Sequence, residues 1–125
     1  MTTDRLIAAA AISAAFGIAA SAFAAHGAQG LAIDWLKTGG TYQLIHGVAA
    51  CSLANTHRRP ASLLLSGATL FAATLYMMAF GLPRWLGAIT PIGGLLMIAG
   101  WLWIAYRASS SRNDETSGRD TDLSR

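Results

Sequence analysis

Four stretches of this chain contain no Asp, Glu, Lys or Arg, and each is long enough to cross a lipid bilayer. Between Arg5 and Asp34 lie 28 such residues, between Lys37 and Arg58 lie 20, between Arg59 and Arg84 lie 24, and between Arg84 and Arg107 lie 22. A hydrocarbon core about 30 Å thick is spanned by roughly 20 apolar residues at 1.5 Å rise each. Backbone in lipid finds no water to bond, so a run of this length closes its own hydrogen bonds as a helix. The fold class that follows is all-α: an integral membrane bundle of four transmembrane helices. The spans are predicted over about 6–25, 41–56, 61–81 and 85–106, within one domain covering 1–107.

With 54% hydrophobic and 12% charged residues in 125, no separate soluble domain fits beside the spans. The formal charge of +3 does not point to nucleic acid, because the cations sit singly at helix ends and form no stripe. They suit anchoring against membrane lipids. The single cysteine, Cys51, falls within the second span, so an internal disulfide is excluded. The first run resembles a secretory signal, with Ala22-Phe23-Ala24 as a small-x-small site. Asp4 cancels the charge of Arg5, however, and the apolar run outlasts a signal core, so a retained first helix is predicted.

In the first span Ala9, Ser13, Gly17, Ser21 and Ala25 recur at intervals of four. A small-residue ridge lets another backbone approach closely, which is how helices associate in lipid. It predicts that this helix is central. In the first loop, 27–40, Leu31, Ala32, Trp35 and Leu36 oppose Asp34 and Lys37, predicting a short interfacial amphipathic segment. Thr38-Gly39-Gly40 then reads as a breaker before the second span. Pro60 suits the first turn of the third helix. Pro91 removes the amide that would bond the Gly87 carbonyl and predicts a kink, near the pair Gly93-Gly94. Trp101, Trp103 and Tyr106 read as an aromatic belt. The polar segment 108–125 lacks apolar periodicity and is predicted to be a disordered cytoplasmic tail.

Arg5, Arg58, Arg59, Arg107 and Arg112 fall on one side of such a bundle and Lys37 and Arg84 on the other. Five against two predicts both termini in the cytoplasm.

Chemistry-bearing residues are few. His26, Gln43, His46, Tyr76 and Thr90 are predicted to share one polar layer, roughly 8 Å below the outer surface at 1.5 Å per residue. Such a layer cross-links helices by hydrogen bonds or lines a small-molecule or lipid pocket. Two histidines without cysteine or carboxylate support are a weak metal or haem set, so no cofactor is predicted. No span holds Asp or Glu, which argues against carboxylate-driven proton transport. HExxH, GxSxG, P-loop and CxxC signatures do not occur, and the reading is non-enzymatic.

Several segments resemble a family of small bacterial inner-membrane proteins, domain of unknown function 423 (UPF0382), related to the transmembrane protein 256 family. Ser21-Ala22-Phe23-Ala24-Ala25-His26-Gly27 resembles the end of its first helix. Trp35-Leu36-Lys37-Thr38-Gly39 and Tyr42-Gln43-Leu44-Ile45-His46 are similar to its Trp-x-x-Thr-Gly and Tyr-Gln-x-x-His elements. Leu75-Tyr76, Thr90-Pro91-Ile92-Gly93-Gly94 and Ala99-Gly100-Trp101 are similar to its later helices. The chain departs at Ala24 and at Phe71-Ala72-Ala73-Thr74, where the family often has glycine. The resemblance implies four inner-membrane spans and no established activity. The leading expectation is an accessory or scaffold protein, packing through Ser13, Gly17, Ser21, Gly93 and Gly94 against itself or other membrane proteins. The alternative is a small-molecule or lipid binder or carrier with its polar pocket in the outer leaflet.

Overall fold

The computed structural model describes residues 2–123, with side chains described as far as Ser111. It contains α1 (Thr3–His26), α2 (Leu31–Leu53), α3 (Arg58–Ala79) and α4 (Thr90–Leu123), with a 3-10 turn at Arg84–Ala88. Three segments, α1, α3 and Arg84–Ser111, are long and apolar enough to cross a membrane. The 23 residues of α2 match them in length, but Asp34, Lys37, Gln43 and His46 make it more polar.

Local chemistry sets the helix ends. The Arg5 amide donates to the Thr2 hydroxyl at 3.4 Å, and Asp4 places negative charge in the first turn of α1. Pro60 lies in the first turn of α3, as predicted. At the other end of α3, Gly81 takes φ +91°. Its amide donates to the Met78 carbonyl at 3.1 Å, and that of Leu82 to Met77 at 3.0 Å. These paired bonds stop α3 through a left-handed residue that glycine adopts without strain.

The structure corrects four local expectations. No separate interfacial segment precedes α2, which is one helix from Leu31 with Gly39 and Gly40 inside it. The glycine pair marks close approach instead: a Cβ at Gly40 would collide with Ser21 Oγ and lie 2.6 Å from the Gly17 carbonyl oxygen, and one at Gly39 would lie 2.8 Å from the Tyr76 ring. Pro91 does not kink a span. It is the second residue of α4, where its missing amide has no intrahelical partner to lose. Where composition predicts disorder from Ala108, the backbone of α4 stays helical to Leu123. Extending an existing helix costs far less than nucleating one, and Ser109 and Ser111 bond back to the Ala105 and Arg107 carbonyls at 3.0 and 3.1 Å.

The fourth correction concerns the packing order. Substantial contacts run from α1 to α2, α2 to α3 and α3 to α4, with only a slight touch of α1 on α3. No comparable contact joins α1 to α4 among the described residues, so α1 flanks the bundle and is not its centre. Ser13, Gly17 and Ser21 do face α2, while Ala25 is exposed and Leu6, Ala10 and Ala24 complete the buried stripe. A Cβ at Gly17 would lie 2.6 Å from the Gly40 carbonyl oxygen. On α4 the glycines diverge: a Cβ at Gly93 would lie 2.6 Å from the Phe71 amide, whereas one at Gly94 would meet nothing within 4 Å. Gly94 therefore has no part in helix packing.

Two apolar clusters close the ends. Leu6, Ala10, Ala50, Ala54, Ala61 and Leu65 pack at the end carrying Arg5, Arg58 and Arg59. Leu75, Met78 and Leu86, with Trp35 against them, pack at the end carrying Arg84, whose guanidinium lies 5.8 Å from the Trp35 ring centre.

Candidate functional site

A polar side chain in the hydrocarbon core seeks a partner on another helix. Three such pairs join these helices. Near the Arg84 end, the Thr74 and Thr90 hydroxyls meet at 2.8 Å between α3 and α4. The Tyr76 hydroxyl of α3 donates to Gln43 Oε1 of α2 at 2.6 Å. The Trp101 indole N–H of α4 donates to His46 Nε2 of α2 at 3.2 Å. His46 Nδ1 is 2.8 Å from the Tyr42 carbonyl oxygen, one turn back. A carbonyl accepts and an indole N–H donates, so the two bonds together require the neutral imidazole with its proton on Nδ1.

Gln43, His46, Tyr76 and Thr90 are thus all engaged between helices, but as separate rungs and not as one layer. Their depths differ because α2 begins at Leu31, which puts Gln43 and His46 mid-helix and not one turn in. His26 is not among them, being exposed at the last position of α1. Gly47 abuts Ala14, so His46 sits about twelve residues, or ~18 Å, along the axis from the level of His26. Those two histidines do not converge on one ion. Among the described residues no three of His, Cys, Asp and Glu gather as a metal site.

Thr74 and Trp101 are the partners that sequence reasoning missed. Trp101 read as part of an interfacial belt, whereas its indole nitrogen is spent on His46. Only 1% of Thr74 is exposed, and no sequence pattern singles it out. Cys51, placed in a span by its position, donates weakly from Sγ to the Ile7 carbonyl at 3.6 Å, tying α2 to α1. Removing one hydroxyl from a rung, by Tyr76→Phe or Thr74→Val, is expected to lower stability in detergent by about 0.6 kcal/mol. Denaturant titration of each variant against the parent checks this.

Among the cavities that the open row of helices leaves are two grooves on different faces. One lies between α1 and α3 over α2, where Ile12, Ser13, Phe16, Gln43, Leu65 and Thr69 line it. The Ser13 hydroxyl in its floor is buried and has no hydrogen-bond partner among the described residues. The other lies between α2 and α4 over α3, lined by Tyr42, His46, Phe71, Gly94, Met97 and Trp101.

Residues 20–94 match the model of a family described as protein of unknown function (DUF423). The chain is 36% identical over 114 residues to a UPF0382 membrane protein of Haemophilus influenzae, an alignment covering 82% of this chain and 92% of that protein. It is 33% identical over 113 residues to the UPF0382 inner membrane protein YgdD of Escherichia coli K12, covering 81% and 86%. A UPF0382 membrane protein of Staphylococcus haemolyticus is 37% identical over 99 residues, covering 70% and 80%. No solved structure matches the chain.

Proposed function

The chain belongs to the DUF423 family of membrane proteins, and on that premise we propose that it is a non-enzymatic scaffold that self-associates in the bacterial inner membrane, with both termini in the cytoplasm. The observation that carries this reading is the α1–α3 groove, whose wall residues Ile12 and Phe16 are 59% and 62% exposed. A second copy covers them. In a two-fold contact the same surface meets itself, so α1 lies against α1 above the buried Ser13. Ile12 and Phe16 on the groove wall, both exposed to lipid in the single chain, interdigitate across it.

The charge arrangement supports the stated orientation. Arg5, Arg58 and Arg59 stand at one end of the bundle and Lys37 and Arg84 at the other. Basic residues are retained on the cytoplasmic side.

Cysteine cross-linking in native membranes tests the self-association. With Cys51→Ser as background, Phe16→Cys is expected to give an oxidised species of twice the 13.1 kDa chain mass. Ile12→Trp, on the exposed wall of the same groove, is expected to abolish it in that background. A chain that is monomeric by native mass spectrometry in mild detergent, and that fails to cross-link at Phe16→Cys, overturns the scaffold reading.

A further inference from the structure

We propose that the second groove, between α2 and α4, binds a planar, carbonyl-bearing lipophile of the quinone class. Gly94 is the starting point. Glycine in a helix interior costs about 1 kcal/mol relative to alanine, and at Gly93 that cost is offset by backbone contact with α3. At Gly94 nothing offsets it, since a Cβ there would meet no atom within 4 Å. What the missing side chain provides is open space in the groove.

The walls of that space are aromatic. Tyr42 and His46 stack nearly parallel, with ring centres 6.0 Å apart and planes 8° apart. Phe71 leans on Tyr42 at 5.0 Å, and Trp101 meets His46 edge-on at 6.2 Å. The His46 hydrogen bonds to the Tyr42 carbonyl and from Trp101 hold these rings before any ligand arrives, which reduces the ordering cost of binding. Flat walls of this kind favour a flat ring.

The polar inventory narrows the ligand further. Both His46 nitrogens and the Trp101 N–H are already bonded. The Tyr42 hydroxyl has no partner among the described residues and is the free donor of the groove, so the ring it meets carries an acceptor such as a carbonyl. No charged residue lines the groove, which excludes an ionised head. The cavity of about 400 Å³ accommodates a substituted ring and the root of a tail. Its open side faces lipid, from which the ligand enters and in which the tail remains. An acyl chain alone uses neither the ring walls nor the hydroxyl. This groove is distinct from the Ser13 face, so the proposal stands or falls independently of self-association.

The test is titration of the full-length protein in lipid nanodiscs with decylubiquinone, read by tryptophan quenching. Trp35, Trp85 and Trp103 lie outside the groove and supply a linear background, whereas Trp101 is expected to add a saturable component. Gly94→Leu, whose Cβ meets no atom within 4 Å and whose branch enters the groove, is expected to leave the unliganded Tm nearly unchanged and to abolish saturation. Tyr42→Phe removes one neutral hydrogen bond and is expected to weaken binding about three- to tenfold. Purely linear quenching in the parent overturns the proposal, as does undiminished saturable binding in folded Gly94→Leu. Equal displacement by decanol makes the site an acyl-chain groove and overturns the ring assignment. Should Gly94→Leu misfold, the Tyr42→Phe titration decides by itself.

Discussion

Gly40→Leu is expected to lower the Tm in mild detergent by ~10 °C or more, while Gly94→Leu moves it by no more than about 2 °C. Both substitutions put the same side chain into a helix interior, and both gain the same helix propensity. They differ in what the first carbon meets. At Gly40 it runs into Ser21 Oγ, the Gly17 carbonyl oxygen at 2.6 Å and the Ser21 amide at 3.2 Å. Two of these are backbone atoms of a rigid helix and cannot rotate away, so the only relief is to move α1 off α2. That movement opens the stripe in which Gly17 is seated and loosens the apolar cluster of Leu6, Ala10, Ala50 and Ala54 below it. Relief is cheaper in a soluble protein, where hydrophobic drive holds a displaced helix nearby. In lipid the separated helices are solvated as well as before, and close packing is most of what joins them. Thermal denaturation followed by circular dichroism measures both variants. Equal losses from both would mean that the α1–α2 contact is not held by backbone approach.

The same glycines show where the sequence is legible and where it is not. Four helices follow from charge-free runs because lipid permits little else, and their number does not depend on side-chain detail. The start of α3 was readable because Pro60 suits the first turn of a helix, where its missing amide has no partner to lose. Gly39-Gly40 has two meanings, helix breaker or close approach, and the deciding atoms, Ser21 and Tyr76, belong to other helices. Pro91 is ambiguous in the same way, starting a helix or bending one according to where that helix begins. The site inherited these ambiguities. Starting α2 at Thr41 and not Leu31 displaces His46 by ten residues, or ~15 Å in depth, which is why a single layer with His26 looked plausible. Gln43, Tyr76 and Thr90 were recognisable as buried polar groups by type alone. Their partners were not, because hydrogen bonding across helices depends on rotation about each axis, and composition carries no information on that.

His46→Ala is the other variant with a large expected effect, a loss of about 2 kcal/mol, and the reasons are separable. The imidazole is 6% exposed, so truncation leaves a void whose walls no longer touch. It also removes the acceptor of the Trp101 indole N–H at 3.2 Å, a bond worth on average about 0.6 kcal/mol in a membrane protein. Trp101→Phe removes the same bond and keeps most of the ring, so its loss is expected to be near that smaller figure. In a double-mutant cycle the two variants share the bond. The double mutant is then less damaging than the sum by about the bond's own worth. His46→Gln restores an acceptor without the ring and should recover part of the loss. The wavelength of Trp101 emission gives a second readout, because an indole freed from His46 loses its polar neighbour and shifts to the blue. If His46→Ala matches the parent in stability and emission, the α2–α4 rung contributes nothing. The walls of the aromatic groove are then held by Tyr42 and Phe71 packing alone.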